Sequence, residues 1–257
     1  TSSWPITSAS NRTRTERVRR GRMENLGEFV AYAALAIGKG MLVTVTVTVA
    51  SLLLGFVLAV PLAIGRTYGN RTIKFLIQLY EGFFRGTPHV VMLFIFYFGL
   101  RHIGEPFGAP EFRIGLPPFL ASVLALGMIS SAYQALIFRS TIQSISSDQY
   151  NAARAMGMTK WQAILGIVFI QAFRLSIPGL TNEATIVLKD SPITYVVAIP
   201  EMLTQARGII DSSMGKVFFE VLIPVALLYW LLFQISNKLF LILEKKLQIP
   251  GFELERR

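Results

Sequence analysis

Cysteine is absent from all 257 residues, so the chain can build no disulfide, thiolate metal site or cysteine nucleophile, and its redox compartment leaves no mark. Histidine occurs only twice, as His89 and His102, which excludes a histidine-rich ligand set. Charge is scarce as well. Asp, Glu, Lys and Arg make up 16% of the chain and hydrophobic residues 53%, with a mean hydropathy of +0.52, whereas a soluble domain is about 25% charged. A soluble fold of this length needs a charged shell, yet whole helix-length stretches carry no charge. A soluble globular protein, a disordered chain and a disulfide scaffold are therefore excluded. The charge that is present leans one way, with 25 Lys and Arg against 15 Asp and Glu, net +10. In an apolar chain that excess points to loops facing an anionic cytoplasmic leaflet before it points to nucleic acid.

A hydrocarbon core of ~30 Å takes roughly 20 helical residues. Met41 to Ile64 and Leu116 to Phe138 contain no charged residue and are long enough to span. The first carries the alternation Val43-Thr44-Val45-Thr46-Val47-Thr48-Val49, a strand pattern in water. A lone strand in lipid leaves its backbone groups unpaired, so a helix is expected. Val217 to Leu243 holds only Glu220 and Lys238, both near its ends. Trp161 to Leu188 carries Arg174 and Glu183 and is expected to break at Pro178-Gly179. Gly86 to Leu100 is short, so it either borrows length from Phe75 to Phe84 or forms a short buried element. About five spans result, in an all-α membrane protein.

Placing the loops Arg66 to Arg85, Arg139 to Lys160 and Lys238 to Arg257 on one side collects twelve basic residues there, against five in the loops opposite. The positive-inside rule makes the richer side cytoplasmic, with the C-terminus inside and the N-terminus outside. Residues 1–22 contain six Arg and lack an apolar core, so they are no secretory signal peptide. They read as a basic, disordered N-terminal arm, or as a segment preceding a start at Met23.

The segment Ser146 to Gln162 contains two helix starts. Ser146 with Gln149, and Thr159 with Gln162, fit the Ser/Thr-x-x-Glu/Gln capping box, and Gly157 sits where a helix ends. A short helix, a sharp turn and a second helix entering the membrane are predicted. Ala152 and Ala153 permit close approach by a partner, flanked by Tyr150, Met156 and Trp161. From these features alone, an ordinary interfacial helix is an equal reading.

Asn151-Ala152-Ala153, then Gly157, then Ile167 resembles the EAA loop of permease subunits of ATP-binding cassette importers, with Asn151 in place of the usual Glu. Arg85-Gly86-Thr87-Pro88 with the aromatic run to Leu100, Ala132 to Arg139, and Pro178 to Glu183 with Leu188-Lys189-Asp190-Ser191 are similar to the polar amino acid branch of that family. The likeness runs from about Gly40 to Lys245. It implies a type I importer permease fold, with residues 23–245 as the transmembrane permease domain, a coupling helix between spans three and four, and residues 246–257 as a cytoplasmic tail. It also implies a prokaryotic cell membrane and a set of partners. These are two cytoplasmic ATPase subunits, a second permease (itself or a paralogue) and an extracytoplasmic solute-binding protein, with no nucleic acid. Tyr150, Asn151, Ala152, Ala153, Arg154 and Gly157 become the ATPase-coupling residues.

Gly38-Lys39-Gly40 lacks the surroundings of a P-loop, so the chain is expected to bind no cofactor and to perform no catalysis. ATP and magnesium belong to the partner ATPase. Ionisable groups inside a membrane are costly and mark a bundle interior or a water-filled path. Glu183, Asn182, Gln171 and Gln134 are the candidates for a substrate path. Arg174 lies nine residues from Glu183, half a turn out of phase, and so falls on another face. An internal polar network or a permease contact is an equal reading of Glu183. Lys189 and Asp190 suit an outer gate or a binding-protein contact, or simply a solvated helix end. His89 reads as a hydrogen-bonded structural residue. A stand-alone ion-coupled secondary transporter with Glu183 as its coupling group is the alternative function.

Overall fold

The computed structural model describes residues 8–102 and 114–247, and the side chains of these apart from residues 8–28, 101, 243 and 247. All regular structure among the described residues is helical. Helix α1 (Ser8–Tyr68) runs for 61 residues, so residues 8–22 of the basic arm, expected to be disordered, are helical. No proline falls between Pro5 and Pro61 to interrupt it. Residues 1–7 and the tail beyond residue 247 lie outside the described residues.

The Val/Thr alternation is helical, as the membrane argument requires. Thr46 Oγ1 donates to the Leu42 carbonyl at 2.6 Å and Thr48 Oγ1 to that of Thr44 at 2.8 Å. Folding each hydroxyl back onto its own helix keeps it satisfied without water. A buried stripe of Thr44, Val47, Thr48 and Ser51 then faces the bundle.

Helix α4 (Pro118–Ser144) packs on α1 through small residues. A Cβ on Gly127 of α4 would meet Leu54 Cδ2 at 2.8 Å and the Ser51 carbonyl at 3.1 Å. The close approach of small residues is how helices gain packing in lipid, where apolar burial offers little drive. One end of the bundle is filled by Ala59, Ala63, Ala135, Phe138, Val168 and Ala172, with Phe56 edge-on to Phe138 at 5.7 Å.

Among the described residues, four helical stretches are long and apolar enough to cross a membrane: Phe29–Tyr68, Pro118–Ser144, Lys160–Val197 and Phe218–Lys246. The fifth expected span is divided between α2 (Arg71–Gly86) and α3 (His89–Tyr97). Thr87 is extended (φ −95°, ψ 131°) and Pro88 cannot donate a backbone hydrogen bond, so the chain turns between them. Helix α3 is short and only partly buried: Met92 and Leu93 are each 1% exposed, while Val91, Phe94 and Ile95 are exposed.

Helix α5 (Ser147–Ala155) and α6 (Lys160–Ala163) follow α4. A π turn, Ile164–Val168, joins α6 to α7 (Phe169–Asp190). The expected break at Pro178-Gly179 is not there: α7 runs straight through both. Gly179 has a different role, since a Cβ there would sit 2.7 Å from Ile137 Cγ2, so its absence lets α4 lie against α7. A 3-10 turn, Ser191–Val197, leads to α8 (Met202–Ser212) and α9 (Phe218–Leu247). Helix α8 lies where the sequence suggested only an outer loop. Its buried face of Met202, Ala206, Ile209 and Ile210 packs with Ile37 of α1 and Val221 and Val225 of α9.

Candidate functional site

Helices α3, α4 and α7 enclose a cavity of about 130 Å³ lined by His89, Leu126, Ile129, Ser130, Tyr133, Glu183, Ile186, Val187 and Asp190. A polar void of this size admits water or the polar end of a solute. Glu183 is 4% exposed and accepts a hydrogen bond of 2.7 Å from Ser130 Oγ. Gln134 Nε2 stands behind it, donating to Ser130 Oγ at 3.0 Å and to the Leu52 carbonyl at 3.2 Å. One relay of amide and hydroxyl therefore aims the Glu183 carboxylate from α1 through α4. No basic side chain pairs with Glu183 among the described residues.

Asp190 lines the same cavity two helical turns further on, and its Oδ2 lies 3.4 Å from His89 Nε2. His89 thus ties α3 to α7. It stands at the cavity wall. Lys189 turns the other way, with Nζ 4.6 Å above the Phe233 ring of α9, where it borders a second cavity of about 300 Å³ with Tyr229 and Trp230. Lys189 and Asp190, paired in the sequence as one outer feature, are therefore separated by the helix.

The other substrate-path candidates fall outside the cavity lining. Asn182 is exposed and Gln171 half-buried, and Gln171 lies about 18 Å along the helix from Glu183. Arg174 is exposed while Glu183 is buried, as their half-turn offset requires.

Sequence reasoning passed over Glu201 and Glu81. Glu201 is 0% exposed and caps α8, accepting from the Leu203 amide at 2.9 Å and the Thr204 amide at 2.7 Å. It also accepts from Thr204 Oγ1 at 3.0 Å and from Tyr229 Oη at 2.7 Å. An acid at a helix N-terminus meets both the orphan amides and the favourable end of the dipole. The signal available was Glu201-x-x-Thr204 after Pro200. Glu81 of α2 is 2% exposed, and its Oε2 lies 3.9 Å from Arg66 Nε. Arg66 also donates to the Lys74 carbonyl and to Gln78 Oε1, both at 2.9 Å, fastening the turn between α1 and α2.

The α5 segment is a capped hairpin. Ser146 Oγ accepts from the Asp148 amide at 3.2 Å and donates to Asp148 Oδ2 at 3.0 Å, so Asp148 engages the hydroxyl and the predicted box with Gln149 does not form. The second box does: the Gln162 amide donates to Thr159 Oγ1 at 3.3 Å and the Thr159 amide to Gln162 Oε1 at 2.8 Å. Gly157, at φ +86°, ends α5 as predicted. The Met158 amide reaches back to the Ala153 carbonyl at 3.2 Å and that of Gly157 to Arg154 at 3.1 Å, the paired bonds of a Schellman cap. Arg154 Nη1 donates to the Met158 carbonyl at 2.6 Å.

The hairpin is fixed to the end of α1. Tyr150 stacks on Tyr68 with centroids 6.4 Å apart, Lys160 Nζ donates to the Tyr68 carbonyl at 3.3 Å, and Ala153 is buried. Asn151, Ala152, Arg154 and Gly157 are exposed, beside Met156 at 86% and Trp161 at 57%. Of the six expected coupling residues, two hold the hairpin to the body and four face outward.

Residues 51–249, which include α4 to α9 and both the cavity and the hairpin, match the family described as the binding-protein-dependent transport system inner membrane component. The chain belongs to this family. The permease is 31% identical over 208 residues to the probable amino-acid ABC transporter permease protein YckA of Bacillus subtilis, covering 81% of this chain and 87% of that one. It is 32% identical over 211 residues to the histidine/lysine/arginine/ornithine transport system permease protein HisM of Escherichia coli K12, covering 80% and 87%. A crystal structure of an amino acid ABC transporter with histidines superposes with a TM-score of 0.73 at 30% identity, covering 85% of this chain and 97% of that one. The type I importer permease fold expected from the sequence is therefore correct. The stand-alone ion-coupled transporter gives way to a membrane component that works within a binding-protein-dependent system.

Proposed function

We propose that this permease moves a polar amino acid inward across a prokaryotic cell membrane, with the α3–α4–α7 cavity as a station on the path. The observation that carries the reading is Glu183: a buried carboxylate facing a cavity, held by one neutral hydroxyl and matched by no basic side chain among the described residues. Such a group suits the α-ammonium of an amino acid, for which it supplies a charge-assisted hydrogen bond. The kinship with YckA and HisM agrees with that substrate class.

Energy comes from outside the chain. Two cytoplasmic ATPase subunits, which hold ATP and magnesium, dock on the outward face of the α5–α6 hairpin, where Asn151, Ala152, Met156 and Trp161 form an exposed, partly apolar surface. A second permease completes the pathway and an extracytoplasmic binding protein delivers the substrate. The hairpin and the C-terminus lie in the cytoplasm, in keeping with the distribution of basic residues. This chain performs no covalent step. Its contribution is to alternate the side from which the cavity is open.

The test is ATP hydrolysis by the purified permease–ATPase assembly over a panel of amino acids. Stimulation by one or a few of them is expected in the wild type and is expected to vanish in Glu183→Gln. Unchanged stimulation in that variant would remove Glu183 from the path, and amino acid transport in liposomes by this chain alone would overturn the dependence on a partner.

A further inference from the structure

Glu183 and Asp190 are seven residues apart on α7, within about 20° of the same helical face and about 10 Å apart along the axis. Both line one cavity, but they are engaged differently. Glu183 receives a neutral hydroxyl, whereas Asp190 faces the imidazole of His89 at 3.4 Å. Two open carboxylates at that separation would suit a substrate with two cationic groups. Here one of the two is occupied from within the chain. Lys189, the neighbouring cation, is turned to Phe233 and does not compete for Asp190. The remaining wall is apolar or aromatic, from Leu126, Ile129, Tyr133, Ile186 and Val187.

We propose that His89 sets the charge selectivity of the cavity: by holding Asp190 it leaves Glu183 as the single carboxylate offered to the substrate, which favours an amino acid with a neutral side chain over a dibasic one. His89 is here a specificity residue that works through Asp190. The position also suits the role, because His89 opens α3 directly after the Thr87-Pro88 turn. Its ring is thereby presented to α7 from a short helix separate from α2. The proposal rests on the cavity being the substrate station.

The experiment is equilibrium binding of radiolabelled L-glutamine and L-arginine to the purified permease–ATPase assembly in detergent. His89→Leu is expected to improve arginine binding relative to glutamine on the order of tenfold, the worth of one charge-assisted hydrogen bond. Adding Asp190→Asn to it is expected to return the ratio to the wild-type value. His89→Gln keeps a hydrogen-bond donor of similar reach and should move the ratio in the same direction by less. It carries the test if the leucine variant fails to assemble. An unchanged arginine-to-glutamine ratio in the His89 variants, with both ligands lost in Glu183→Gln, would overturn the selectivity role and leave the cavity assignment standing. Unchanged binding of both ligands in Glu183→Gln would overturn the cavity assignment and the proposal with it.

Discussion

Glu201 and Glu183 are both buried carboxylates in a membrane protein, and they differ in what meets them. Glu201 is saturated by two backbone amides and two hydroxyls drawn from α8 and α9, with Thr44 of α1 also close by. Glu183 has one hydroxyl and a cavity. A buried anion is tolerated when its lone pairs are filled. Filled by the protein itself, it becomes a structural anchor with nothing left to offer. Left partly open beside a void, it is available to something that enters. Burial alone would have ranked Glu201 first as a functional residue; the inventory of donors reverses that order.

The comparison can be broken most forcefully at Glu201. Replacing it by Ala strands two amides and the Tyr229 hydroxyl in a dry site, and should cost about 3–5 kcal/mol, as when one partner of a buried charge cluster is removed. The loss would be read as a large fall in Tm in detergent and poor recovery of folded protein. Tyr229→Phe takes away only one of the donors, so about 1.5–3 kcal/mol is expected and the variant should still assemble. Thr159→Ala opens the box that starts α6 and should cost about 1 kcal/mol, seen as a small Tm decrease without loss of substrate binding. Glu183→Gln is the sharpening case. The amide can still accept from Ser130, so its stability should change by less than about 1 kcal/mol while substrate-stimulated ATP hydrolysis disappears. If Glu183→Gln destabilised the protein as much as Glu201→Ala, the contrast between anchor and open site would collapse.

How much of this was legible in the residues follows from range. The Thr159–Gln162 box, the Gly157 cap and the opposed faces of Arg174 and Glu183 are local, set by spacing along one helix, and all are found as read. Where two local options compete, spacing fails: Asp148 sits closer to the Ser146 hydroxyl than Gln149 does and takes it. The Pro178-Gly179 pair looked like a break because proline removes a backbone bond. The helix nevertheless continues through the proline, and the glycine serves packing against Ile137 instead. The His89–Asp190 contact joins residues a hundred positions apart, and no single-sequence pattern encodes it. The same is true of Glu201 with Tyr229, and of α8, whose apolar face is too short to stand out from a loop.

The π turn at Ile164–Val168 lies between the capped hairpin and the cavity wall. A turn of this kind holds one residue more than the regular coil, and each residue advances a helix by about 100°. Everything beyond it is therefore set in phase by that extra residue. Deleting a single amino acid there would leave α7 just as apolar and nearly as long, but would swing Glu183 and Asp190 together away from Ser130 and His89. The turn acts as an angular index mark: it fixes which way the carboxylates point without touching either of them.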